Sequence, residues 1–259
     1  MQLIAVDIGN SSTKIAVQDL DEDRDVRWYD QFTYRGDDQI DLQLTEVPAF
    51  WSICSVSTSR LATLESRIQS NRPKDRVHKI ADSDVPLDSN IDSRSGAGRD
   101  RLVAAWMASQ LADGPVVVVD AGTAVTIDFV DSEKVFQGGV IFPGAAACLK
   151  QISESAPALP DLSQREFAES LNEVLNSRLG KSTEPAIIGG VYQSQIAAIT
   201  KIATDMTGES KCEIYATGGG VDDIQNHLPE HWNFVPDLVL RGAKSIGQRM
   251  MAEDTFENA

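Results

Sequence analysis

Leu3-Ile4-Ala5-Val6-Asp7-Ile8-Gly9-Asn10-Ser11-Ser12-Thr13 is echoed, at a constant offset, by Val116-Val117-Val118-Val119-Asp120-Ala121-Gly122-Thr123-Ala124-Val125-Thr126. In both copies an apolar run rich in Val, Ile or Leu, suited to a strand in the core of a sheet, breaks at Asp-x-Gly and then resumes. It resumes as Lys14-Ile15-Ala16-Val17-Gln18 in the first copy and as Ile127-Asp128-Phe129-Val130-Asp131 in the second. Strand, tight turn and strand make a β-hairpin, and glycine admits the backbone conformations such a turn needs. A single Asp-x-Gly turn is commonly nothing more than a turn. Two, with Asp, Gly and Thr at matching offsets, predict a duplicated α/β architecture in which each hairpin opens a domain and a cleft lies between the halves.

The length agrees, since 259 residues exceed what one hydrophobic core usually organises. Between the echoes, Arg60 to Ile68 reads as a short helix. Asp100 to Leu111 reads as another, with Leu102, Val103, Trp106 and Leu111 at helical spacing. Asp113-Gly114-Pro115 ends that helix, and the domains are expected at 1–113 and 114–259. Beyond the second hairpin, Pro157 and Pro160 mark a loop, Gln164 to Leu179 is expected to be helical, and so is Ile187 to Met206. The last is long enough to lie along a domain or subunit interface. The acidic stretch Asp19 to Asp25 reads as a solvated hairpin turn.

Composition removes several function classes. With 42% hydrophobic and 24% charged residues the chain has the balance of an ordinary globular protein. No apolar run approaches the roughly 20 residues of a membrane helix. Leu3 to Val6 is too short, and lacks the basic flank, for a signal peptide, so a cytoplasmic location is expected. A net charge of −16 repels phosphate backbones and anionic lipid, and no basic patch offsets it; neither nucleic acid nor membrane is an expected partner. Cys54, Cys148 and Cys212 form no C-x-x-C pattern and read as buried, reduced thiols.

The chemistry concentrates in a few places. Asp7-x-Gly9-Asn10-Ser11-Ser12-Thr13-Lys14 offers backbone N–H groups and short hydroxyls that can wrap a phosphate chain, with a carboxylate for a metal ion. Asp120-Ala121-Gly122-Thr123-Ala124 supplies the same parts. In Gly98-Arg99-Asp100-Arg101, at the start of a helix, Asp100 is placed to accept a hydroxyl proton and Arg101 to bind a carboxylate in bidentate fashion; helix capping beside a surface arginine is the plainer reading. Three glycine-rich turns follow: Gly138-Gly139 with Pro143-Gly144, Gly189-Gly190, and Thr217-Gly218-Gly219-Gly220. The last, after a strand at Glu213 to Ala216, is a candidate for contact with a nucleotide's sugar or base. Gly180-Lys181-Ser182 is no P-loop, because the first glycine would fall at Leu175. Gly96-Ala97-Gly98 is no dinucleotide fingerprint, because its third glycine would fall at Arg101. His227 and His231 have metal-ligand spacing, but Pro229 between them breaks the helix that would align them.

Taken in order, the hairpin Asp7-x-Gly9-Asn10-Ser11, the Gly98-x-Asp100-Arg101 box, Asp120-x-Gly122-Thr123-Ala124-x-Thr126-x-Asp128, Gly138-Gly139-x-Ile141-x-Pro143-Gly144, Leu159-Pro160, Thr217-Gly218-Gly219 and Asp237-Leu238-Val239-Leu240-x-Gly242 resemble type III pantothenate kinase over essentially the whole chain. The resemblance implies an actin/hexokinase-like (ribonuclease H-like) fold of duplicated domains with an interdomain ATP cleft, and a homodimer. It implies transfer of the ATP γ-phosphoryl group to pantothenate, the first step of coenzyme A synthesis, with Mg²⁺ and a monovalent cation, K⁺ or NH₄⁺. By the same resemblance Asp7, Ile8, Gly9, Asn10, Ser11, Ser12, Thr13, Lys14 and Thr123 bind ATP, with Asp7 near Mg²⁺, and Asp120 ligates the monovalent cation. Gly98, Arg99, Asp100, Arg101 and Thr183 bind pantothenate, Asp100 being the general base. Where the family usually carries Tyr, seven residues before Gly98, this chain has Ile91. Another small-molecule kinase of the same fold, or a nucleotide-binding regulator without catalysis, are the alternative readings.

Overall fold

Strand β1 (Gln2–Ile8) turns back on β2 (Thr13–Asp19) as an antiparallel hairpin, closed by the Gly9 N–H donating to the Ser12 carbonyl at 3.0 Å. Strand β3 (Tyr29–Tyr34) adds antiparallel to β2, while β4 (Ala49–Ser55) and β5 (Arg76–Lys79) run parallel to β1 beyond its other edge, giving the order β3-β2-β1-β4-β5. Because side chains alternate between faces, Ile4, Val6, Ile8, Ile15, Val17, Trp51 and Ile53 converge on one side, where they form a core with Leu64 and Ile68 of helix α1 (Thr58–Asn71). The other face carries Leu3, Ala5, Asp7, Lys14, Ser52 and Cys54. These are the first pieces of a unit made of Met1–Gln110 together with Asp237–Ala259; the second unit is Leu111–Pro236. The computed structural model describes residues 1–19, 29–34, 40, 42, 47–93, 96–164, 171–177, 179–208 and 211–257.

The boundary expected at residue 113 lies three positions late, and the expected second domain does not run to the C-terminus. Asp237–Ala259 belongs to the first unit. Its helix α7 (Leu238–Glu257) packs on β1 and β4, covering the face opposite α1. Small residues make the approach close: the Ser52 hydroxyl donates to the Ala243 carbonyl at 2.6 Å, and a Cβ on Gly247 would lie 2.7 Å from the Ser52 Cβ. A short strand β6 (Asp88–Ser89) precedes helix α2 (Arg99–Leu111), which meets α7 where a Cβ on Gly242 would lie 2.4 Å from Val103 Cγ1. Nothing local in the sequence of α7 marks this return, which depends on contacts across most of the chain.

The second unit repeats the plan. Strand β7 (Val116–Ala121) pairs antiparallel with β8 (Ala124–Val130), and β8 with β9 (Val135–Pro143). On the other side β10 (Glu213–Thr217) and β11 (Asn233–Phe234) run parallel to β7. The order β9-β8-β7-β10-β11 therefore matches β3-β2-β1-β4-β5 strand for strand and direction for direction, and the expected duplication is met. One detail differs. Ile8 pairs with Thr13, whereas its counterpart Ala121 pairs with Val125, so the second turn is one residue shorter than the constant offset required.

Helices α3 (Ala145–Ser155), α4 (Leu171–Ser177), α5 (Thr183–Thr207) and α6 (Gly219–Ile224) complete the second unit, whose core joins Val117, Val119, Val125 and Ile127 to Leu149, Ile188, Val191 and Ile199. Of the three expected glycine turns the last is one, and so is the Pro143-Gly144 part of the first, where β9 ends and Gly144 caps α3. Gly138 and Gly139 lie inside β9, where a Cβ on Gly139 would sit 2.1 Å from the Ile127 carbonyl oxygen; Gly189 and Gly190 lie inside α5. Gly139 serves close packing, a role glycine fills when it is not bending the chain, whereas a Cβ on Gly190 would meet nothing within 4 Å. Residues 20–25 of the acidic turn and 165–170 of the expected helix lie outside the described residues. Among those described, no helix is long and apolar enough to cross a membrane.

Candidate active site

Asp7 interrupts the buried run of β1 and is the Cα partner of Lys14 on β2 and of Cys54 on β4, so the three stand side by side on the face that α7 covers. Cys54 is buried, and its thiol is pushed well above its usual range, first by burial and then by the negative charges of Asp7 and Asp100, with Arg99 acting in the opposite direction. Both carboxylates thus act electrostatically on one buried sulfur. Cys54 itself was legible only as a buried thiol. All three cysteines are free, with Cys148 and Cys212 half-buried.

The box is built around one backbone constraint. Gly98 has φ of +85°, and a Cβ there would lie 3.0 Å from Asp100 Oδ1, so glycine is the residue that admits both the conformation and the carboxylate. Asp100 occupies the first turn of α2, where its Oδ1 accepts from the Arg101 N–H at 2.9 Å. Burial raises its pKa above the ordinary 3.8, while that N–H and the charges of Arg101 and Arg99 pull the other way. A carboxylate raised in this manner is a better proton acceptor than a solvated one. The two arginines differ in employment. Arg99 donates through Nε to Asp82 at 3.0 Å and through Nη1 to the Ser55 carbonyl at 3.4 Å; Arg101 donates through Nη1 to the Ala97 carbonyl at 2.9 Å.

Around the first turn, Asn10 and Ser11 are exposed and Ser12 is half-buried. Two expected contacts are restricted: the Ile8 side chain sits in the core and the Thr13 hydroxyl is buried, so what these residues offer a ligand at the turn is backbone. Lys14 Nζ donates to Asp237 at 2.6 Å. Arg60, on α1, donates to the Gly9 carbonyl at 2.8 Å and brings a second cation to the turn. Neither partnership has a signature in the sequence, because each joins segments far apart in the chain.

In the second unit Asp120 stands between Thr126 on β8 and Thr217 on β10. Gly218, at φ of +93°, approaches so closely that a Cβ would lie 2.3 Å from Asp120 Oδ1 and 2.4 Å from the Ala121 carbonyl oxygen. A carboxylate and a carbonyl oxygen converging on one point is a hard-oxygen donor set, the kind that suits an alkali or alkaline-earth cation. On the other flank the Gly144 N–H donates to the Thr123 carbonyl at 3.0 Å, and Gly122 and Thr123 themselves are exposed. Thr183 is exposed and opens α5 after the N-cap Ser182. Among the described residues no group of three or more His, Cys, Asp or Glu could hold a metal ion. His227 Nε2 lies 3.1 Å from Asn172 Oδ1, in keeping with a surface role.

The family model for type III pantothenate kinase matches residues 3–205. A type III pantothenate kinase of Caulobacter vibrioides is 27% identical, covering 96% of this chain and 98% of its own. One from Zymomonas mobilis is 30% identical, with 93% and 90% covered. A solved Campylobacter jejuni structure, described as a conserved Baf family transcriptional activator, superposes with a TM-score of 0.60 at 25% identity over 97% of this chain and all of that one. A Listeria monocytogenes protein described as an N-acetylmannosamine kinase gives a TM-score of 0.54 at 11% identity over 97% and 100%, a likeness of fold alone: that of the actin/hexokinase-like kinases.

Proposed function

The chain belongs to the type III pantothenate kinase family, and from that premise we propose how its residues transfer phosphate from ATP to pantothenate. What supports the reading is that Asp7, the neighbour of Cys54 in the sheet, and Asp100, a carboxylate of raised pKa, both act electrostatically on that one buried sulfur. The ATP phosphates lie on the backbone N–H groups of Gly9 to Ser12, with Lys14 supplying a cation and Thr123 a further contact. Asp100 takes the proton from the pantothenate hydroxyl as its oxygen attacks the γ-phosphorus in line, and Arg101 holds the pantothenate carboxylate, with Thr183 a further substrate contact. Positioning and charge stabilisation supply most of the acceleration, and base catalysis adds about 10²–10⁴-fold. Mg²⁺ bound with ATP would neutralise phosphate charge, and Asp7 is the residue to hold it. Asp120, with the Ala121 carbonyl beside it, would hold a monovalent cation, K⁺ or NH₄⁺.

The active form is a homodimer in this reading. A groove of about 650 Å³ between α3 and α5, lined mainly by apolar residues such as Pro143, Ala147, Ile152, Ile187 and Val191, is the surface assigned to the second copy in this reading. Three free thiols accord with the reducing cytoplasm. A coupled assay of ATP consumption tests the chemistry: turnover is expected with pantothenate, Mg²⁺ and K⁺ and is expected to fall when K⁺ is omitted. A preference for a sugar acceptor in that assay would overturn the assignment of the Gly98–Arg101 box.

A further inference from the structure

The segment that returns to the first unit begins at Asp237, and that residue carries two unusual features at once. It is one of two non-glycine residues of positive φ among those described, at +60°, a conformation that costs an L-residue roughly 1–2 kcal/mol. Its carbonyl accepts the first N–H bond of α7, from Arg241 at 2.9 Å, which makes it the residue at which the helix starts. Its carboxylate is 2.6 Å from Lys14 Nζ, with side-chain exposures of 12% and 25%, so the pair is neither sealed from a ligand nor fully solvated. The face of β2 that bears Lys14 also meets α7 further along, where Gln248 Nε2 donates to Gln18 Oε1 at 3.3 Å. Glycine would occupy this backbone conformation without strain and asparagine more readily than most residues. Aspartate shares that tolerance with asparagine and adds the charge that meets Lys14.

We propose that Asp237 is a positioning residue for Lys14, holding the ammonium against the first hairpin so that it meets the nucleotide's phosphates already in place. A lysine side chain has four rotatable bonds and loses much rotamer freedom when a ligand fixes it; a carboxylate that fixes it beforehand removes that loss from the binding step. The ammonium has three N–H donors, so bonding to Asp237 does not consume its capacity for a phosphate oxygen. This assignment rests on the reading of the hairpin as the ATP site, and the experiment separates the two.

Binding of Mg²⁺ with a non-hydrolysable ATP analogue is measured by calorimetry, and KM for ATP and for pantothenate by the coupled assay, in wild type, Asp237→Asn, Asp237→Gly, Asp237→Glu, Lys14→Met and the Lys14→Met, Asp237→Asn double variant. Asp237→Asn and Asp237→Gly are expected to weaken nucleotide binding and raise the ATP KM by about tenfold, with the pantothenate KM unchanged. The glycine variant is expected to be at least as heat-stable as wild type, Asp237→Glu to recover part of the loss, and the double variant to bind no more weakly than Lys14→Met alone. An unchanged nucleotide affinity in Asp237→Asn, with Lys14→Met impaired, overturns the role of Asp237. An unchanged affinity in Lys14→Met overturns the hairpin reading, and the positioning role falls with it.

Discussion

Asp100, the base of the proposed mechanism, sits in its buried place at some expense to the fold. Its folded-state pKa is raised by burial, so the folded chain binds this proton more tightly than the unfolded chain does. The linkage sign follows. Stability is lost as pH rises from the unfolded value through the folded pKa, and the full penalty is present above the folded pKa. Asp100→Asn should therefore be somewhat more stable at neutral pH, by thermal melting, while turnover falls by about 10²–10⁴-fold with nucleotide affinity little changed. For the wild type, kcat should decline as pH falls through a pKa above 3.8, and that acid limb should be missing from the residual activity of the variant. Retained turnover in Asp100→Asn would remove it from the reaction. The residue and its neighbours Gly98 and Arg101 were legible because they are contiguous. Cys54, Arg60 and Asp237 were not, because each joins the site through contacts between distant segments.

At the level of elements, the two hairpins were readable from the repeated strand-turn-strand pattern, and so were α1, α2, α5 and β10 to within a few residues. Glycine was the weak point. A glycine bending a turn and one admitting a neighbouring strand look alike in sequence, and only the approach of the neighbour tells them apart. Gly139 is of the second kind. An alanine there would drive its Cβ to 2.1 Å from the Ile127 carbonyl oxygen and 2.4 Å from Asp128 Oδ1, so β8 and β9 would have to part. Gly139→Ala should lower stability by about 1–3 kcal/mol in denaturant unfolding; a wild-type midpoint would mean that the pairing of β8 with β9 is wrong. The shorter second turn has a consequence too. Asp7 is paired across its hairpin with a lysine, Asp120 with Thr126, so the duplicated frame presents a cation in one half and a hydroxyl in the other.

For the whole molecule, the matching strand orders of the two units carry the duplication further than the sequence echo could, since the echo covers only the first hairpin of each. The C-terminal segment was misassigned because chain order is a poor guide once a helix packs on the other unit's strands; α7 completes the first unit from the far end of the chain. A net charge of −16 leaves the protein dependent on local cations for an anionic substrate, which makes Lys14, Arg60 and Arg101 matter beyond their number. If the groove between α3 and α5 receives a second copy, Ile187→Glu should shift the mass seen by light scattering from two copies to one. A mass of two copies in that variant would place the dimer contact elsewhere.

The claim on which the rest depends is that the turn from Gly9 to Ser12 holds the phosphates of ATP next to Asp100. A crystal structure with Mg²⁺ and a non-hydrolysable ATP analogue tests it directly. Phosphate oxygens should lie within hydrogen-bond distance of the Gly9 to Ser12 backbone and of Lys14, with the metal at Asp7; phosphates bound away from this turn would contradict the account.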